Sequence, residues 1–353
     1  MKSYERLERY LNGEEVDSFP FEVFSSTQAL AHFMGYDHND LQDEKVYDEV
    51  IREAFNKFDT DLVRIGYGQS TIGKFLGSKV RVNEHGNEMV QEFVLEDYKD
   101  LEKLYQKKND VKREFEKIIE FGRNIKKRND FIHIGSGMNA PFTTASGIRS
   151  AENILRDTRK NKEKLKELLE LSLELNIEWV KAFTSEFGKT RFHIADPVSS
   201  LNLISIKQYE EFSKPYFSRL VDKIREITGI KPQIHICGKS KKMWPFLKEM
   251  NISIFSVDNI EDMKEVKEAL EDKIAIMGNV DPVHVMKFGK KEDIREKLEI
   301  IYEDCKDSKS GLIFATGCDI AKTCPIENIE EFVKVVKSFG KAKIKNFSKT
   351  LDK

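Results

Sequence analysis

Gln233-Ile234-His235-Ile236-Cys237-Gly238 reads as a short apolar strand running into a glycine turn. Far downstream, Ala315-Thr316-Gly317-Cys318-Asp319-Ile320 ends a second apolar run, Leu312-Ile313-Phe314-Ala315. Residues two apart on a strand face the same way, so His235 and Cys237 project together, about 6–7 Å apart along the chain. Cys318 follows Cys237 by 81 positions. One imidazole and two thiolates form a donor set suited to zinc. Three protein ligands leave a fourth position open, the pattern of catalytic rather than structural zinc. The competing reading is packing, since Cys is among the most buried residue types and no CxxC pair closes a four-ligand site. Position favours the metal, because both stretches read as strand ends of one barrel.

Working outward, strands are expected at 19–24, 61–66, 131–134, 191–195, 234–237, 252–257, 274–277 and 312–315, each followed by helical spacing. The helical stretches are 4–11, 26–34, 42–57, 97–128, 160–184, 206–228, 241–250, 261–271, 282–288, 291–304 and 326–338. This alternation predicts an α/β fold, a (β/α)8 TIM barrel with an N-terminal helical extension. Residues 1–345 are expected to form one barrel domain with N-terminal helices at 1–57, and 346–353 a flexible tail within a basic, frayed end from Lys341. An inserted hairpin is expected over 79–94, turning at Asn83-Glu84-His85-Gly86. The loop Gly135-Ser136-Gly137-Met138-Asn139-Ala140-Pro141-Phe142-Thr143 lacks GxGxxG, which weakens a dinucleotide reading. In such a barrel the active site lies where strands end on their C-terminal side, and Asp196, His235, Cys237, Asp258, Asn279, Asp281 and Cys318 all fall there.

Composition excludes some classes. The 59 Lys and Arg are interspersed with 61 Asp and Glu, so net charge predicts neither nucleic-acid nor membrane-surface binding. No run of about 18 apolar residues occurs and Met1–Glu8 lacks a signal core, so a cytoplasmic protein is expected. Four cysteines, at 237, 305, 318 and 324, are too few for a disulfide framework and suit a reducing compartment.

Several motifs resemble the uroporphyrinogen decarboxylase superfamily, and within it the corrinoid-dependent, methylcobamide:coenzyme M-like methyltransferases. They are Arg6–Pro20 (RLERYLNGEEVDSFP), the 135–143 loop, Asp196-Pro197-Val198-Ser199-Ser200, Gly278-Asn279-Val280-Asp281-Pro282, and Gly317-Cys318-Asp319-Ile320 followed by Pro325-Ile326-Glu327-Asn328-Ile329. Methyltransferases of this branch carry H-x-C and a distant C as zinc ligands, and His235, Cys237 and Cys318 match that pattern one by one. The decarboxylases carry an Arg-containing motif soon after the first strand and a His where this chain has Cys318. Here Phe24-Ser25-Ser26-Thr27-Gln28 has no Arg, which speaks against porphyrinogen decarboxylation.

The resemblance implies zinc, methylcobalamin or another methylated corrinoid as donor, a separate corrinoid carrier protein as partner, and a small thiol such as coenzyme M as acceptor. It leaves open a homodimer, the state of the decarboxylase relatives. Asp196 and Asp258 are the candidate catalytic carboxylates, as a temporary fourth ligand, a partner of His235 or a proton acceptor. Helix capping is the alternative for each, and the favoured one for Asp281. Asn279 is the candidate corrinoid contact, with a self-bonded loop Asn as the alternative. Cys305, Cys324, Tyr216 and Trp244 read as packing residues. Two competing enzymes stay open: a metal-free decarboxylase-like lyase, for which Arg149 is the candidate carboxylate binder, and a zinc methyltransferase using a folate. A structural zinc or carrier-docking module is the non-catalytic alternative.

Overall fold

The structure is a computed structural model describing residues 1–82, 88–270 and 273–344. In chain order the strands are β1 Phe21–Glu22, β2 Leu62–Gly66, β3 Lys79–Val82, β4 Glu88–Glu92, β5 His133–Asn139, β6 Phe192–Ala195, β7 Gln233–His235, β8 Ile254–Ser256, β9 Ala275–Val280 and β10 Leu312–Thr316. Eight of them form one parallel sheet in the order β1-β10-β9-β8-β7-β6-β5-β2. This is the neighbour order of a TIM barrel opened between its first two strands. The edges meet through side chains, since Arg64 of β2 grips both carboxylate oxygens of Glu22 on β1. The sheet is therefore curled, and the fold is α/β and TIM-barrel-like. β3 and β4 pair antiparallel as the separate hairpin, whose expected turn lies outside the described residues.

Strand alternation divides the core. Ile276, Leu312 and Phe314 face the surrounding helices, whereas Ile254, Ala275, Met277, Ile313 and Ala315 form an inner cluster. Helix α1, Ser3–Leu11, joins that inner cluster through Leu7 and Leu11. It also ties to strand beginnings: the Tyr4 N–H donates to Asp61, Arg191 pairs with Glu8, and the Leu312 N–H donates to the Tyr10 hydroxyl. Thus α1 closes the N-terminal end and leaves the C-terminal end for a site. Of the helices expected over 1–57, α1 precedes the first strand, while Ser26–Phe33 and Glu44–Phe58 lie between β1 and β2.

Several expectations are corrected. The third strand runs on to Asn139 rather than stopping at Ile134, with a helix from Pro141. Gly135 is there for close packing, not for a turn: a Cβ on it would sit 2.8 Å from Leu62 Cδ1. β7 stops at His235, so Cys237 lies in the following turn rather than on the strand. Residues 282–288 form turns instead of a helix. There the Asn328 side chain bonds the Met286 and Gly289 carbonyls, which a continuing helix would have occupied.

The 97–128 stretch divides into helices Leu101–Gln106 and Lys108–Arg128, and 241–250 shrinks to a 3-10 turn and Trp244–Leu247. The 206–228 helix contains a π-helical turn, Tyr209–Ser213, just before Pro215, whose ring and missing N–H disrupt the preceding turn. Of the basic end, Ala342 is bridged to Val16 and Ile344 is buried, so this part is not frayed; 346–353 lies outside the described residues.

Candidate metal centre

His235 ends β7 on the inner face, in register with Ser256 of β8. Its Nδ1 lies 3.2 Å from the Ser256 carbonyl oxygen and 3.2 Å from Ser256 Oγ, while Nε2 lies 3.1 Å from Cys237 Sγ. A proton on Nδ1 is therefore donated to the carbonyl, and the Nε2 lone pair points at the sulfurs. Gly238 turns the chain immediately afterwards at φ +74°, where a Cβ would press within 2.7 Å of Ser200 Oγ. The Gly238 N–H donates to Asp258 Oδ2 at 2.7 Å, and the Ile260 N–H to Asp258 Oδ1 at 3.0 Å.

Cys318 arrives from β10. Gly317 permits this, because a Cβ there would lie 2.7 Å from that of Asn259. Phe24 is held to the same strand end, its N–H donating to Thr316 Oγ1 at 3.2 Å and its carbonyl accepting from the Ile320 N–H at 3.1 Å.

Cys237 Sγ and Cys318 Sγ are 3.9 Å apart, and the three donor atoms all lie within 4.8 Å of one another. A tetrahedral zinc with bonds of about 2.3 Å to sulfur and about 2.0 Å to nitrogen needs roughly 3.8 Å between sulfurs and roughly 3.5 Å from sulfur to nitrogen. The residues fit such an ion with little movement, and three ligands leave one position open. The charges fit as well. The hydrogen bond from Cys237 lowers the Cys318 thiol pKa, against burial and with help from His235. The same bond, then burial, raises Cys237. Burial opposes protonation of His235, yet the hydrogen bond and charge of Cys318, and then the charge of Asp258, raise its pKa. The cluster thus already favours one thiolate, which a cation would share with the second.

The other candidates face elsewhere. Asp196 is fully buried and accepts from Thr143 Oγ1 at 2.6 Å and Ser213 Oγ at 3.1 Å; burial raises its pKa. Only its backbone N–H reaches the cluster strand, at the His235 carbonyl, 2.9 Å away. Asn279 donates through Nδ2 to the carbonyls of Asp258 at 3.0 Å and Glu261 at 2.7 Å, pinning the loop after β8. Asp281 caps the turn after β9, accepting from the Val283 and His284 N–H groups. Cys305 and Cys324 are buried apart from the cluster. Arg149 is bound by Asp157 and by the Leu95 and Glu96 carbonyls.

A cavity of about 370 Å³ adjoins the cluster, with Glu22, Phe24, Arg64, Asn139, His193 and Asp319 in its wall. The Phe24 ring lies 6.4 Å from that of His235 and 5.7 Å from that of His193, and Asp319 follows Cys318 directly. His193 is held neutral by burial, with the Arg64 and His235 charges adding to the effect. Sequence reasoning missed Glu22, Arg64, Asn139 and His193. The signal was the alternation itself, because Gly135, Gly137 and Asn139 share one face of β5.

The Uroporphyrinogen decarboxylase (URO-D) family model matches residues 2–339. The chain belongs to the uroporphyrinogen decarboxylase family. Relatives within reach of this family member include a methylated-thiol–coenzyme M methyltransferase of Methanosarcina mazei, 29% identical over 57% of this chain and 52% of the relative. A methylcobamide:CoM methyltransferase, MtbA, of Methanosarcina acetivorans is 29% identical over 58% of each. The chain therefore spans little more than half of these relatives' length. A solved methyltransferase from Methanosarcina mazei superposes with TM-score 0.79 over 96% of this chain and 99% of that one, at 20% identity, which shows a shared fold. Among the described residues no helix is long and apolar enough to cross a membrane.

Proposed function

We propose that this chain is a zinc-dependent methyltransferase that moves a methyl group from a methylated corrinoid, presented by a carrier protein, to a small thiol such as coenzyme M. The observation that carries this reading is the His235–Cys237–Cys318 cluster at the C-terminal end of the sheet, near a cavity that runs along the β1–β2 seam and reaches the cluster's neighbours Phe24 and Asp319. The names of the two Methanosarcina relatives, both methyltransferases to coenzyme M, support it. Zinc held by His235 Nε2 and the two sulfurs would supply the Lewis acidity that converts an acceptor thiol, with a pKa near 8.5, to its thiolate at neutral pH.

The chain's own residues do the rest. Ser256 aims Nε2 at the sulfurs, and Asp258 holds the turn carrying Cys237. Two cysteine thiolates offset the charge of a divalent ion, so the acceptor sulfur keeps its nucleophilicity. In the transfer a sulfur lone pair forms the new S–C bond, the methyl–cobalt bond breaks with its electrons left on cobalt, and the thiol proton passes to solvent. The carrier approaches the end opposite α1. Under this reading residues 1–345 act as one barrel domain, working in the cytoplasm, where Cys237 and Cys318 stay reduced.

Metal analysis of the native protein and Cys318→Ala, with methylcobalamin demethylation in the presence of thiols, tests the reading. About one zinc per native chain, lost in the variant together with thiol-dependent demethylation, is expected. A zinc-free native protein would sink it. Arg64 in the cavity favours a second reading, a metal-free lyase with a carboxylate substrate. Glu22 already neutralises that guanidinium, and the lyase has no use for the cluster. Full turnover of a carboxylated substrate after chelation would establish the lyase instead.

A further inference from the structure

Of the nine large apolar side chains exposed among the described residues, four stand on loops that leave neighbouring strands at the C-terminal end of the sheet. Leu203 follows β6 and is 53% exposed, Ile260 follows β8 at 54%, and Val283 and Phe288 follow β9 at 44% and 70%. The loop after β7, between them, carries Cys237 and the exposed Lys239, Lys241 and Lys242. Hydrogen bonds stitch the four loops edge to edge. The Lys239 N–H donates to Asn202 Oδ1 at 2.7 Å, the Gly238 N–H to Asp258, and Asn259 Nδ2 to Asp281 Oδ2 at 3.1 Å. Leu203, Ile260 and Val283 each stand within two residues of one of these joints, so they share one face, and that face borders Cys237.

The loops after β7, β8 and β9 engage their own carboxylates. Glu261 accepts from the Ser240 and Lys241 N–H groups, Asp262 from that of Glu265, and Asp281 from those of Val283 and His284. Lys241 pairs with Glu265, whereas Lys239 and Lys242 are exposed with no carboxylate at ion-pair distance among the described residues. The Lys287 ammonium lies 5.0 Å from the centre of the Phe288 ring. Past Leu203 a groove continues the pattern: Glu152 pairs with Arg156 in its wall, leaving Arg159 and Lys160 exposed beside Leu155 and Leu203. The face is thus apolar tips set among unpaired cations.

Resting on the carrier-borne donor proposed above, we infer that the face over the loops after β6, β7, β8 and β9 is where the corrinoid carrier docks, and that the carrier meets it with an apolar patch ringed by carboxylates. Charge and position select this occupant. The face borders the metal cluster, so a protein seated on it holds its cofactor at the acceptor sulfur. A second copy of this chain, docked about a two-fold axis through the face, would set lysine against lysine. The apolar tips supply contact area, and the unpaired cations steer and orient an acidic partner.

The test uses the zinc-loaded full chain with two donors, free methylcobalamin and methylcorrinoid protein purified from the organism that makes this chain. Ile260→Asp and Lys239→Glu should each lower kcat/KM for the protein-bound donor about tenfold or more, while zinc content and kcat/KM for free methylcobalamin stay within about twofold. Ile300→Asp, at an exposed apolar position on the solvent side of helix Lys291–Cys305, should change neither rate. Raising NaCl from about 50 to about 500 mM should cut the protein-bound rate about tenfold and spare the free one. Equal losses with both donors, no loss with either, or a protein-bound donor turned over no faster than free methylcobalamin overturns the docking face with methyl transfer standing. Binding to phosphatidylserine vesicles that both substitutions abolish, with neither rate changed, overturns it in favour of a membrane. Failure of free methylcobalamin with every thiol overturns the methyl-transfer reading itself.

Discussion

Asp258 separates a positioning role from a catalytic one, and Asp258→Asn is the substitution that does so. Its carboxylate accepts two backbone N–H groups, from Gly238 at 2.7 Å and Ile260 at 3.0 Å. Gly238 directly follows Cys237, so this carboxylate fixes where one sulfur stands. Asparagine keeps the shape but has only one acceptor oxygen, so one of the two N–H groups would face an amide N–H. One lost charge-assisted hydrogen bond is worth about 1.5–3 kcal/mol. If that cost falls on ordering the turn for metal binding, zinc affinity drops about 10- to 100-fold, the range seen when outer partners of metal ligands are removed. Competition with a chromogenic chelator measures the affinity, and methylcobalamin demethylation at saturating zinc measures kcat, expected within about threefold of native. The positioning role is refuted by unchanged zinc affinity with kcat lower by about a hundredfold or more, the result for a general base.

Two further predictions concern the scaffold. Burial pushes His133 down to about 4, in a ring stacked on Tyr4 at 3.5 Å with Nε2 2.9 Å from Thr190 Oγ1. The folded chain then keeps this ring neutral while the unfolded chain protonates it near pH 6.5. Stability is complete above that pH and falls by about 2–3 kcal/mol as the pH drops from about 6.5 to 4. His133→Gln should flatten this part of a urea-midpoint-versus-pH curve; a curve parallel to the native one would show the assignment to be wrong. Gly66, at φ +154°, packs so closely that a Cβ would overlap the Gly137 carbonyl, whereas one on Gly35, at φ +89°, would meet no atom within 4 Å. Gly66→Ala should therefore cost roughly 3 kcal/mol or more and Gly35→Ala about 1 kcal/mol by urea unfolding, and equal losses would contradict the packing of β2 on β5.

What could be read from residues alone divides along physical lines. The strand–helix alternation was legible because apolar runs such as Leu312–Ala315 are buried on both faces and stand out from charged helices. The three donors were legible because His and Cys at strand ends are few and two shared one short stretch. Arg64 was not, since a charge inside a barrel contradicts the apolar pattern until its partner is known, and Glu22 stands 42 positions away. The glycines that make room for it looked like a loop for the same reason: a missing side chain gives no sign of what fills the space.

Asp196, Asp258 and Asn279 were found in the right layer but facing elsewhere. Each loop leaving a barrel strand exposes backbone groups that need partners, and a short carboxylate or amide at the strand end is the nearest supply. Asp258 and Asn279 both serve the single loop 258–261, one by accepting from Ile260 and the other by donating to the carbonyls of Asp258 and Glu261. Position at a strand end therefore selects residues close to the chemistry, and only the direction of their hydrogen bonds separates those that hold the loop from those that meet the substrate. By that criterion the side chains of Asp258 and Asp196, engaged with the chain's own N–H and O–H donors, hold the frame.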